Sequence, residues 1–157
     1  MTETVAVLFI FFVLILFGII FYYKYAEGAI AQEKQELIGK RAIATSLKVL
    51  FAPELICSNG GAEVEDNCID MGKLPDAIRV IEENPVYYFN IFSYATISIE
   101  QIYPGGEESA EIILYDRPRP DWENQEAAFF VVALRDKIFG DNVDFFSFGY
   151  LKVVAYQ

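Results

Sequence analysis

The sequence predicts an α+β protein: a long N-terminal helix, transmembrane in its first half and an amphipathic stalk in its second, followed by a small antiparallel β-sheet domain with one short helix. Three observations predict it. Val5 to Tyr23 runs without a charge or a proline. No proline stops the helical pattern before Pro53. Beyond Pro85 the chain is rich in aromatic and β-branched residues, cut by Pro-Gly-Gly and Gly-Asp-Asn turns. A length of 157 residues suits one compact domain with appendages.

The anchor is assigned to residues 1–23. As a helix, Val5–Tyr23 covers ~28 Å, close to the ~30 Å hydrocarbon core of a bilayer. Phe9, Phe11, Leu14, Leu16 and Ile20 distribute apolar surface around its whole circumference, so it meets lipid or other helices on every side. A retained anchor is preferred to a cleaved signal. Met1-Thr2-Glu3-Thr4 carries no Lys or Arg, and the run ends in Phe21-Tyr22-Tyr23-Lys24-Tyr25, an aromatic belt with a cationic anchor. The stalk is assigned to residues 24–52. Ala26, Ile30, Leu37, Ala44 and Phe51 form an imperfect helical stripe, interrupted by Glu33 and Lys40. Glu36 precedes Lys40 by one turn, in the orientation that supports a helix. The stripe packs either on its own domain or on neighbouring copies, and the pattern leaves both open. Together the two segments give one helix from about residue 3 to 51, ~70 Å long.

The domain is assigned to residues 53–157. Cys57 and Cys68 bracket the Asn59-Gly60-Gly61 turn, and a disulfide is expected between them. Closing so small a loop stabilises by ~3 kcal/mol on the loop-entropy model. Leu74, Ala77, Ile78 and Ile81 follow helical spacing; Pro75 fits a first turn and Asn84-Pro85 stops the helix. Val86–Phe92, Ala95–Tyr103, Glu111–Tyr115, Ala127–Arg135 and Phe145–Tyr156 read as strands. Four or five neighbouring strands with short links favour an antiparallel sheet, with the small helix or the stalk on one face.

Charge separates the regions. Residues 24–52 hold five basic and three acidic residues, whereas 53–157 hold seven basic and nineteen acidic, a net of −12. Such a domain repels nucleic acid and anionic headgroups. The cations that follow the span argue for a cytoplasmic C-terminal side. The closely spaced cysteines argue for an oxidising compartment. The second argument is preferred, which places the domain outside the cytoplasm of a single-pass cell-membrane protein.

Catalytic chemistry has little to work with. The chain contains no histidine, which removes Ser-His and Cys-His pairs and the commonest metal ligand. Two cysteines do not make a zinc site. Glu63, Glu65, Asp66 and Asp70 crowd the cysteine loop, and Asp141, Asn142 and Asp144 the last turn, but neither set has the spacing of a calcium loop. No catalytic, metal or cofactor site is therefore expected. Two features point to assembly instead. The Arg117-Pro-Arg119-Pro-Asp-Trp122 loop is the basic, aromatic patch of an acidic domain: either a stiff loop with Trp122 tucked into the sheet, or a docking loop for an acidic neighbour. Glu3 lies beside the apolar run, either at the bilayer edge or paired with a partner's N-terminus.

The segment ETVAVLFIFFVLILFGIIFYYKYAEGAIAQ, from Glu3 to Gln32, resembles the start of type IV pilin-like proteins, above all the minor pilins of the Tad type. In those a Glu precedes an apolar helix that ends in a Gly- and aromatic-rich segment. The stretches PELICS…NCID and FSFGYLKVVAYQ are similar to archaeal envelope proteins of the same build. The resemblance implies a non-enzymatic structural or assembly component of a pilus-like envelope apparatus. Its partners would be the bilayer and copies of itself or other pilin-like subunits, met through Glu3, Leu37 and Ala44. The alternative is a single-span accessory or binding subunit of a larger membrane complex.

Overall fold

The computed structural model describes residues 2–59, 63–104, 111–137 and 144–157. The first element, α1 (Thr2–Leu50), is a continuous helix, as the missing prolines require. The chain divides into two compact units, one ending at Leu37 and the other running from Ile38 to Gln157. In the first unit the stretch from Val5 to Tyr23 is apolar and uncovered; Phe9, Phe17 and Ile20 are all exposed.

In the second unit the last turns of α1 bury one face, made of Ile38, Ala42, Thr45, Ser46, Val49 and Leu50. The chain then forms β1 (Ile56–Asn59) and β2 (Glu63–Asp70), a 3-10 turn (Met71–Lys73), α2 (Leu74–Glu83) and α3 (Pro85–Phe92). Four strands follow: β3 (Ala95–Tyr103), β4 (Ile112–Asp116), β5 (Gln125–Lys137) and β6 (Asp144–Tyr156). All six strands form one sheet in the order β1-β2-β5-β6-β3-β4. Its spine is the long β5–β6 hairpin, in register from Gln125↔Tyr156 to Lys137↔Asp144.

The α+β class, the long helix and the following sheet are as expected, and the sheet differs in one respect. It is mixed rather than antiparallel, because β2 runs parallel to β5 through Cys68↔Ala133, Ile69↔Leu134 and Asp70↔Arg135. Neighbours along the chain still pair antiparallel. The parallel contact joins segments separated by α2, α3, β3 and β4, the kind of long crossover that parallel pairing needs. The cysteine loop is itself part of the sheet, since β1 and β2 pair as a hairpin. Val86–Phe92 lies in α3 and not in a strand. Pro85 at its first turn pre-sets the helical φ. Tyr88 and Phe92, four residues apart, both enter the core, so burial overrides the β preference of the aromatics.

One face of the sheet carries every helix of the second unit. Ile97, Ile99, Val132, Leu134, Leu151 and Val153 are essentially inaccessible there, packed with Val49 and Leu50 of α1, Leu74, Ala77 and Ile81 of α2, and Tyr88 and Phe92 of α3. Ile38 and Ala42 make a smaller contact with Ala155 and Ala128. The Lys48 ammonium donates to the carbonyl of Ile91 at 2.8 Å, tying α1 to α3. Gly149 of β6 faces the backbone of β3 so closely that a Cβ would collide with the Glu100 carbonyl oxygen. A side chain is excluded at that point.

Candidate functional site

The apolar helix is long and uniform enough to cross a bilayer once. Its apolar-to-polar change begins at Lys24, whose ammonium pairs with Glu27 at 3.1 Å on the exposed surface. The side chain of Glu3 lies outside the described residues. Leu37 closes the first unit and is 57 % exposed. In the second unit Ala44 is exposed, as are Ile43, Leu47 and Phe51. The sequence stripe is therefore not the face that meets the domain. The face that does is offset around the helix and is partly polar, with Thr45 and Ser46 buried and the Ser46 hydroxyl donating to the Ala42 carbonyl. Small residues are what let α1 approach the sheet there, and a search for large apolar residues passes over them.

Cys57 and Cys68 form the expected disulfide, with Cα atoms 5.3 Å apart. A register shift between Ile56 and Cys57 brings the two residues together, since Ile56 pairs with Ile69 while Cys57 pairs with Glu65. Glu65 lies near both sulfurs, but sulfurs bonded to each other offer no thiolate to a metal. Of the other acidic residues here, Asp70 serves another purpose. Its carboxylate accepts from the Arg135 guanidinium at 2.9 Å, and both groups are almost wholly buried. Arg135 also donates to the Ser58 carbonyl at 3.3 Å, and Asp70 accepts from the Gly72 amide at 3.1 Å. One ion pair thus links β1, β2, β5 and the turn into α2. Asp144 opens β6, and Asp141 and Asn142 lie outside the described residues.

The structure separates the residues of the Arg-Pro loop. Arg117 donates its amide to the Ala95 carbonyl and borders a groove of about 330 Å³ between α2 and β4, lined by Ile78, Ile81, Glu82 and Tyr115. Arg119 is exposed. Trp122 is 48 % exposed and leans on the ring of Tyr156 at 5.9 Å, so it is not tucked into the sheet.

The second face of the sheet is the feature that sequence reading missed. No helix covers it among the described residues. Successive outward residues are Phe129, Val131 and Ala133 on β5, and Phe146, Phe148, Tyr150 and Lys152 on β6. Tyr103 of β3 pairs with Phe148. The rings of Phe129 and Tyr150 meet edge to face at 5.7 Å. A signal was present: the run Ala127–Leu134 is apolar at every position, whereas a half-covered strand alternates.

The polar groups beside this face are paired. The Tyr150 hydroxyl donates to Glu100, and that hydrogen bond pushes the phenol's pKa up. Glu111 accepts from the Ser98 hydroxyl at 2.7 Å and from Lys152 at 3.3 Å. Those two contacts, the Ser98 bond first, hold its carboxyl below the usual range and make it a weak base beside the hydroxyl it binds. On the covered face, burial and then the bond to Glu54 push the Tyr88 phenol up to about 12. The chain was compared with protein-family models, curated proteins and solved structures, and it matches none of them.

Proposed function

We propose that the protein is a non-enzymatic, single-span component of an envelope assembly, pilin-like in build. In this reading α1 anchors it and associates with other helices, and the disulfide-closed domain stands outside the cytoplasm. The observation that carries the reading is the continuous helix. From Val5 to Tyr23 it is apolar all round and uncovered, and its exposed stripe continues through Ala44, Leu47 and Phe51, where the same helix also packs on a domain. A helix that served as a tether alone needs no apolar surface beyond the membrane. The paired hydroxyls and carboxylates, with no histidine in the chain, support a structural role.

Purification from the native envelope in mild detergent, followed by mass spectrometry and electron microscopy, tests this. The expected result is recovery in filaments or with other single-span, pilin-like chains. Stoichiometric recovery with a multi-span complex would instead establish the accessory-subunit reading.

A further inference from the structure

We infer that the open face of the sheet is a docking surface for the same face of a second copy of this chain, a contact separate from any made by α1. Tyr103, Phe129, Val131, Phe146 and Phe148 are 48–73 % exposed and adjoin one another across β3, β6 and β5. At ~100 Å² each they present about 500 Å² of apolar surface. A stable pairwise contact uses ~800 Å² per partner, of which roughly 60 % is apolar, so the patch matches the apolar part of one footprint. A patch of this size is toward the upper end of what a monomer leaves exposed, and such patches are often functional.

Charge selects the occupant. The chain carries a net charge of −11, and two copies repel across most orientations. The outward positions from Ala127 to Arg135 and from Phe146 to Val154 contain no carboxylate, and the one that β3 brings to this face, Glu100, accepts from the Tyr150 hydroxyl. The two cations among them are neutralised within the chain, Arg135 by Asp70 and Lys152 by Glu111. The centre of this face therefore carries little charge beside the chain's net of −11, and two copies meet here with less like-charge repulsion than across the rest of the surface. Aromatic side chains dominate it, as they dominate the centres of interfaces. Sheets stack face to face at ~10 Å with their side chains interleaved, and a two-fold axis through the patch supplies each copy with the same surface.

The test uses the full chain in mild detergent. Val131→Cys places a thiol in the patch, and Val86→Cys places one on α3, on the covered side; both positions are about three-quarters exposed. The native cysteines are bonded and buried, and they do not react. With a short bismaleimide, Val131→Cys is expected to give covalent dimer at least tenfold above Val86→Cys, on the order of one hot-spot contact. Phe129→Ser with Phe148→Ser should remove that excess at an unchanged melting temperature. The excess should survive Leu37→Glu, which separates this contact from the helix reading. Equal yields at positions 131 and 86 would overturn the inference. So would quenching by brominated lipid, in vesicles, of a fluorophore attached to the thiol of the Val131→Cys variant, which would assign the face to the bilayer.

Discussion

The two faces of the sheet use similar residues for different ends. On the covered face Ile97, Leu134, Leu151 and Val153 are closed off by three helices, and their burial holds the domain together. On the open face Phe129, Val131, Phe146 and Phe148 are just as apolar and remain accessible. Hydrophobicity alone does not say which residues stabilise a fold. What surrounds them does, since only surface removed from water on folding contributes.

Mutations separate the two faces by size of effect. The largest is expected at the ion pair that fixes the hairpin to β5. Asp70→Asn leaves the Arg135 guanidinium buried without its counter-charge and should cost about 3–5 kcal/mol, read from denaturant midpoints. Asp70→Leu with Arg135→Met should recover most of that loss, because the pair's net worth is small. Leu151→Ala on the covered face opens a cavity and should cost about 2–5 kcal/mol in the same measurement.

A pH effect comes next. The Tyr88 phenol titrates near 10 when unfolded and about 12 when folded. A raised folded value means the stabilisation is complete below ~10 and is lost as pH climbs from ~10 to about 12, where the unfolded chain ionises first. Melting temperature should fall across that window, and Tyr88→Phe should flatten the fall. The smallest effect belongs to the open face. Phe129→Ala should change the stability of the isolated chain by less than ~0.5 kcal/mol. A loss near that of Leu151→Ala would erase the distinction between the faces.

Much of this was legible in the sequence, for identifiable reasons. A proline-free run of apolar residues has few alternatives to a long helix, and Leu74, Ala77 and Ile81 at helical spacing beside Pro75 mark α2. Two cysteines close together around a glycine turn imply a bridge. The parallel β2–β5 pairing was not legible, because no local pattern encodes a partner 65 residues away, as Cys68 is from Ala133. Nor was α3, where the aromatics have strand propensity and helical spacing at once, and burial of Tyr88 with Phe92 decides between them. Spacing marks a stripe through Leu37 and Ala44, but it does not say what covers it. The structure turns Ile38, Ala42 and Ser46 toward the sheet instead. Arg135 looked like the end of an apolar strand and proved to be the cation at its buried end.

The central claim is that the exposed stripe of α1 carries association, and Leu37→Glu tests it most directly. Leu37 is exposed within the chain, so a carboxylate there should leave the domain's melting temperature unchanged. In a seam between helices the same carboxylate is buried without a partner, at a cost of several kcal/mol. The measurement is the fraction of the full chain recovered from the envelope in assemblies larger than a dimer. The account predicts that this fraction collapses in the variant while melting is unaltered. Recovery equal to the parent's would contradict it and reduce α1 to a tether.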